Sequence, residues 1–262
     1  MTLTIISHIY NEEYLLPFWL QHHRDLFDHG IIIDYYSSDR SLSIIKEFCP
    51  KWKIIKTRNI DENGRPNFQA HLIDNEVMEI EMEIQGFKIC LNTTEFLMYN
   101  QSKEGFENML EEKKIYDINV YSPVSTHVVF YPSDMIEFYQ NMSYIYDSGR
   151  GKRFLHSETF LPYSVGRHSH NLHVVNEQLQ NTVILWCGFY PQNVHIYRRK
   201  LQIQNNIPEY DRIHRFGFQH IINGEELYTL FQQFIQDGIH RDIKKSYPIF
   251  DELLKFYSNK YK

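Results

Sequence analysis

Four times in its first 95 residues the chain runs an apolar stretch into a polar cluster. Residues 5–9 end at Asn11-Glu12-Glu13, and residues 31–33 end at Asp34 with Ser37-Ser38-Asp39 just beyond. Residues 53–56 end at Arg58-Asn59, and residues 87–91 end at Asn92-Thr93-Thr94-Glu95. An unbroken apolar run such as 31–33 is typical of a strand covered on both faces. Between these strands the spacing turns helical, first with Leu15, Leu16, Trp19, Leu20, His23, Leu26 and Phe27. Leu42, Ile44, Ile45 and Phe48 mark a second helix, and Phe68, Leu72, Ile73, Val77, Ile80 and Ile84 a longer third. Asn11 is the expected N-cap of the first helix and Ser38 or Asp39 that of the second. Pro50 should end the second helix and Gly86 should cap the third. The polar loop 61–67 reads as mobile from its composition. The order β-α-β-α-β-α-β predicts the start of a doubly wound α/β sheet with right-handed crossovers.

Beyond residue 100 the pattern weakens. Strands are expected near 118–121 and 127–131, and a short helix over 135–145. Residues 149–200 are rich in Arg, His, Tyr and Gly and show no clear period. From Gly224 the chain reads as helical, with Leu227, Leu230, Phe231 and Phe234 on one face, and Leu253, Leu254 and Phe256 suggest a last short helix. With no repeat, low-complexity tract or obvious linker, the expectation is one domain over 1–262. Residues 1–100, 101–223 and 224–262 would be its binding half, its acceptor or catalytic half and its terminal helices.

The 262 residues are 42% hydrophobic and 15% aromatic, which supplies ample core and argues against disorder. The formal charge of −6 carries no long run of one sign, so a general nucleic-acid surface is disfavoured. Cys49, Cys90 and Cys187 are widely spaced and form no CxxC pair, which fits reduced thiols in the cytoplasm. The N-terminus lacks a basic region ahead of its apolar run, and no stretch approaches the roughly 18 apolar residues of a membrane span.

In an open parallel sheet the carboxyl ends of the strands share one edge, where ligands bind. The four polar clusters therefore converge on one expected pocket of a nucleotide-sugar type. Asp34, directly after a buried strand, could accept hydrogen bonds from a ribose or a base N–H, since an acid there needs a partner. No nucleophile elbow, P-loop or G-x-G-x-x-G is present, which leaves hydrolase, kinase and dehydrogenase readings without an anchor.

Residues 9–12, then Leu16-Pro17-Phe18-Trp19-Leu20-Gln21-His22-His23, then Ile33-Asp34-Tyr35-Tyr36-Ser37-Ser38-Asp39-Arg40-Ser41 resemble the family-2-like glycosyltransferases. More narrowly, they are similar to the group that reads N-E-x-x-x-L-x-x-W-L-x-H-H and D-x-x-S-x-D-x-S. Residues 91–96 align with that group's D-x-D-E-F segment, and Gly166-Arg167-His168 and Arg199-Lys200-Leu201 with its C-terminal part. The resemblance covers about the first hundred residues. It implies a GT-A fold, a mostly parallel sheet flanked by helices with a mixed α+β elaboration. It also implies sugar transfer from a nucleoside diphosphate, UDP ahead of GDP, to a hydroxyl of a glycan, glycoprotein or glycolipid. By position, Asn11 and Glu12 would border the nucleotide, Asp34 would hold base or ribose, and Asp39 would support that loop. Arg58 or Asn59 and Asp74 would approach donor or ribose.

One departure stands out. GT-A enzymes commonly hold Mn²⁺ or Mg²⁺ through the D-x-D, bridging the diphosphate. Here Asn92 and Thr94 occupy those two places, and Glu95 is the one carboxylate left. Three explanations stay open: cationic side chains stabilise the leaving group instead, Glu95 recruits a metal together with a distant histidine, or transfer has been lost. Gly149-Arg150-Gly151-Lys152-Arg153 is a basic turn able to fold over a diphosphate, and Arg198-Arg199-Lys200 is a second basic cluster. Arg150, Arg153, Glu95 and His168 are the candidate catalytic residues. Asn92, Thr94 and Arg167 join the donor-binding set. His168, His170 and His173 form a weak metal pattern, and His220 is a similar candidate. His23 reads as a satisfied core histidine. Glu95, Glu158 or Asp211 could act as a general base. The rival reading is an inactive binding or scaffold module that keeps the fold. A nucleotidyltransferase would need a Gly-rich loop plus Lys after the first strand, which residues 7–13 lack.

Overall fold

The computed structural model describes residues 1–127, 129–217 and 220–262. Strand β1 (Leu3–Ile9) leads through α1 (Leu16–His23), β2 (His29–Asp34) and α2 (Ser41–Phe48) to β3 (Lys53–Lys56). Then come α3 (Ala70–Met82), β4 (Phe87–Cys90), β5 (Glu95–Tyr99) and α4 (Lys103–Glu107). The second half adds β6 (Ile115–Val124), α5 (Met135–Gln140), β7 (Tyr144–Tyr146), β8 (Lys152–His156), β9 (Glu177–Gln178) and β10 (Thr182–Trp186). Helices α6 (Val194–Leu201), α7 (Glu209–His214), α8 (Gly224–His240) and α9 (Ile249–Lys260) follow.

The main strand order is β3-β2-β1-β4-β8-β6-β10-β5, with β7 and β9 both paired to β6. The pairs β1–β2, β2–β3 and β1–β4 are parallel. Strand β8 runs antiparallel to both β4 and β6, β10 runs parallel to β6, and β5 runs antiparallel to β10. Most strands thus point one way, in the mostly parallel α/β arrangement expected from the sequence. The period-2 alternation of β1 explains its two coverings. Leu3, Ile5 and Ile9 pack in the large core with Leu16, Trp19 and Leu20 of α1, while Ile6 joins Ile33, Tyr35, Phe68 and Val77 in a smaller cluster with α3.

Several boundaries differ from expectation. Residue 127 and residues 129–131 form no strand, and Val128 lies outside the described residues. The expected helix over 135–145 stops at Gln140, and Tyr144–Tyr146 instead pairs with β6 as β7. Asn11 does not cap α1. It adopts a left-handed conformation, and its Oδ1 accepts the backbone N–H groups of Ser38 and Asp39 at 2.8 and 3.3 Å. Gly86 sits beyond the end of α3, whose C-cap is Glu83, and a Cβ on Gly86 would come within 2.6 Å of the Thr2 carbonyl. Among the described residues no helix is long and apolar enough to cross a membrane.

Candidate functional site

A cleft of about 450 Å³ opens at the carboxyl ends of β1 and β4. His8, Tyr10 and Glu12 come from the end of β1, and Asn92, Thr94 and Glu95 from the turn after β4. Asp74 of α3 joins them, and the second half of the chain closes the cleft with Arg150, Arg153, Arg167, His168, Trp186, Arg199, Lys200 and Asp211. Six cationic side chains, counting Arg215, thus face four carboxylates.

Three of those carboxylates are bound to arginines. Glu95 takes Arg153 Nε on Oε2 at 3.1 Å and Nη2 on Oε1 at 2.5 Å, with both side chains almost wholly buried. Its Oε2 also accepts the Asn92 N–H at 2.9 Å. Burial alone would raise the Glu95 carboxyl, but Arg153, the Asn92 N–H and Arg167 hold it below the usual carboxylate value. Asp74 pairs with Arg167 and accepts the Gly166 N–H at 2.7 Å. Glu12 takes Arg199 in a fork, Nε on Oε2 and Nη2 on Oε1, both at 2.6 Å. Each pair joins a carboxylate of the first half to an arginine of the second. Among the cleft carboxylates Asp211 differs: its Oδ2 accepts the Ala70 N–H at 2.7 Å, and its buried Oδ1 has no partner among the described residues.

The arginine Arg153 is fully occupied. Its Nη1 donates to the carbonyls of Lys152, Gly166 and Arg167 and to His168 Nδ1, the last at 2.8 Å. Burial of its ring edge and the neighbouring Arg153 pull His168 down to about 4, so it is neutral at pH 7. His8 is pulled down to about 3 by burial and by Arg167, Arg199 and Arg153, and its Nδ1 has no partner among the described residues.

Besides the exposed Arg215, two cleft cations have no carboxylate among the described residues. The Arg150 guanidinium carbon lies 3.5 Å from the centre of the Trp186 indole, and burial lowers its pKa to about 10. The Lys200 ammonium lies 4.7 Å from Trp186 and 4.7 Å from Phe189, on a side chain that is 1% exposed. Gly188 makes this possible, because a Cβ there would meet the Trp186 ring at 2.0 Å. The lining is also apolar in part, with Phe68 against Tyr10 at 5.1 Å and Ile73 and Ile203 in the same cluster.

The structure therefore brings together Glu12, Asp74, Asn92, Thr94, Glu95, Arg150, Arg153, Arg167 and His168 from the expected set. Asn11, Asp34, Asp39, Arg58 and Asn59 fall outside the cleft wall. Asp34 Oδ1 accepts the Ser37 N–H at 2.9 Å, and Asp39 accepts Glu13 and Ser41 N–H groups at 3.0 and 2.9 Å. Arg58 extends to Glu79 on the surface. Asn59 donates to Tyr35, Leu72 and Glu76 in a buried network. Glu158 likewise lies outside the cleft wall. Sequence reasoning passed over His8, Tyr10, Phe68 and Trp186. The signal for His8 was its position at the carboxyl end of a buried strand, on the same face as Ile6 and Tyr10. His220 reaches the cleft and bonds the Lys200 carbonyl at 2.7 Å through Nδ1, while Phe218 and Gln219 lie outside the described residues.

The donor set does not fit a divalent ion. Both Glu95 oxygens are engaged by Arg153, and Asn92 Oδ1 accepts from Arg167 at 3.1 Å. Among the described residues no group of three or more His, Cys, Asp or Glu side chains is placed to hold a metal, and His168, His170 and His173 do not form one.

No protein-family model matches the chain, and no curated protein matches it at a significant level. Among solved structures it is similar to S. aureus TarS residues 1–349, at 11% identity over 93% of this chain and 72% of that one, TM-score 0.42. The same TarS fragment in complex with UDP-GlcNAc aligns at 12% identity over 93% and 73%, TM-score 0.42. Glucosyl-3-phosphoglycerate synthase from Mycobacterium tuberculosis, with Mn²⁺, UDP and glucosyl-3-phosphoglycerate, aligns at 12% identity, TM-score 0.31. That match covers 46% of this chain and 44% of the synthase, so the chain spans under half the synthase's length.

Proposed function

We propose that the cleft binds a nucleoside-diphosphate sugar, UDP-linked ahead of GDP-linked, and passes the sugar to a hydroxyl of a glycan, glycoprotein or glycolipid. The observation that carries this reading is the polarity of the cleft. The cleft lining combines an aromatic and apolar set around Tyr10 and Phe68, suited to a base, with Arg150 and Lys200, which make no ion pair among the described residues. A planar base joined to a dianion matches both features at once. Three free, buried cysteines support a reducing, cytoplasmic setting.

In a single displacement with inversion, the acceptor hydroxyl attacks the anomeric carbon and its proton passes to a carboxylate base. Asp211 suits that role, because it lines the cleft and its Oδ1 has no partner among the described residues while Oδ2 is anchored by Ala70. The glycosidic C–O bond breaks with its electron pair going to the diphosphate, where the nearby cations stabilise the growing charge. Arg153, Arg167 and Arg199 act here as positioning residues that fix the strand-end carboxylates. The test is calorimetry with UDP-, GDP-, CMP- and dTDP-sugars, each with Mn²⁺ and with EDTA, followed by assay of released nucleotide. Tight binding of one nucleotide class with slow release of nucleotide supports the reading. Absence of binding by all four overturns it in favour of a scaffold role.

A further inference from the structure

Two cleft cations that no carboxylate neutralises among the described residues share one indole. Arg150 stands in a turn whose flanking residues, Gly149 and Gly151, both take left-handed backbone angles, which sets the guanidinium against Trp186. Lys200 approaches the same ring from α6 and is also held against Phe189. Both line the cleft, and among the described residues neither makes an ion pair. A buried lysine without a counter-ion is costly, because desolvation penalises the charged amine. The groups around it add to that cost. Arg150 from the β7–β8 turn and Arg199 on α6 repel its charge, Glu12 after β1 is committed to Arg199, and His220 meets its carbonyl.

We propose that Arg150 and Lys200, seated on Trp186, form a metal-free diphosphate site, and that Lys200 takes up a proton when the anion binds. The proposal deepens the donor reading above and rests on it for the identity of the ligand. The arriving oxyanion supplies the counter-charge that the folded protein withholds, so the amine, whose charge burial and its cationic neighbours disfavour, becomes a charge-assisted donor. With the free-state pKa lowered and the bound-state pKa raised, uptake occurs between the two values, and affinity falls as pH rises through that window. The nearby Asn92–Glu95 segment, closed by Arg153 and Arg167, leaves the anion to these side chains.

The probe is inorganic pyrophosphate, titrated by calorimetry in EDTA and in Mn²⁺, each in buffers of low and high ionisation enthalpy. The expected result is binding of equal strength in EDTA and Mn²⁺, with proton uptake. Lys200→Met should lose roughly tenfold or more in affinity together with the uptake, and Arg150→Met a similar affinity with the uptake retained. Circular dichroism and urea midpoints identify any variant that fails to fold, and Lys200→Arg then serves as the second variant, keeping charge but losing the uptake. Binding that requires Mn²⁺, or a folded Lys200→Met with unchanged affinity and uptake, overturns the proposal. A UDP- or GDP-sugar that binds only with Mn²⁺, while pyrophosphate fails in EDTA, overturns it and leaves the transferase reading standing. Metal-free pyrophosphate binding with no affinity for any nucleotide sugar upholds the cradle and removes the reading.

Discussion

Arg153 of β8 grips both oxygens of Glu95 across 58 residues of sequence, at 3.1 and 2.5 Å. The pair sits in the polar cluster after β4, and its carboxylate is already satisfied. Removing one member strands the other charge in the interior. Glu95→Ala should therefore destabilise the fold by about 3–5 kcal/mol, and the Glu95→Ala/Arg153→Met double variant by clearly less than the sum of the singles. Urea unfolding of the four proteins measures this. Additive losses would mean that the pair is not coupled.

Asp211 gives the sharpest test of chemistry. Asp211→Asn keeps the shape and can still accept from the Ala70 N–H, but it cannot take a proton. Turnover should fall roughly 10²- to 10⁴-fold while donor affinity stays within a factor of about two. Single-turnover kinetics beside calorimetry separates the two quantities. A loss confined to binding would place Asp211 among the positioning residues.

The parallel half of the sheet was legible because its signals are local. Apolar runs of strand length, helical spacing between them and Pro50 at a helix end can all be read within a dozen residues. The antiparallel half was not, since β8 and β10 lie in a stretch whose pairing partners, β4, β6 and β5, are remote in sequence. The site shows the same division. Glu12, Asp74, Asn92 and Glu95 could be picked out from strand ends and motif likeness. Their arginines stand 187, 93, 75 and 58 residues away, and no spacing rule links them. Lys200 read as one member of a basic tripeptide, the usual mark of a solvated face, yet it is 1% exposed under two aromatic rings. Asp34 and Asn59 look like ligand-binding groups in sequence, and in the fold their polar atoms serve the loops after β2 and β3.

Gly188 connects packing to the anion site. An added Cβ would lie 2.0 Å from Trp186 Cζ2 and 2.3 Å from Cε2, so the indole must move. The ring is hemmed in by Phe189 at 5.4 Å and Phe234 at 5.7 Å. Gly188→Ala should cost about 1–3 kcal/mol of stability and weaken pyrophosphate binding at the same time. Thermal unfolding and titration on one sample check both. A stability loss with intact anion binding would show that the indole position does not matter to the cradle.

Stability should also fall on mild acidification, in part because of a histidine pair outside the cleft lining, while His8 and His168, pulled down to about 3 and 4, contribute in the same window. His22 lies with Nε2 2.7 Å from the Leu97 carbonyl and Nδ1 2.6 Å from the Tyr139 hydroxyl. His23 lies with Nδ1 2.8 Å from the Trp19 carbonyl, while its Nε2 accepts the Leu97 N–H at 3.2 Å. Each ring thus donates once and accepts once, and a second proton on His23 would point N–H at N–H. Burial pulls His23 down to about 3, and burial together with His23 holds His22 well below 6.5. The unfolded chain binds these protons near pH 6.5, so the stability is complete above that value. It drains as pH falls from 6.5 towards the folded-state value, by about 2 kcal/mol for His23 at pH 5. The loss contributed by Glu95, whose carboxyl is also held low, starts only below its ordinary value of 4.5 and so lies in a separate window. Urea midpoints at pH 7.5, 6.5, 5.5 and 5.0 measure the effect, and His23→Gln, which keeps an acceptor for Leu97, should flatten the slope by about one proton. A midpoint that does not change between pH 7.5 and 5.0 would mean that these rings take up protons as readily in the folded protein as in the unfolded chain.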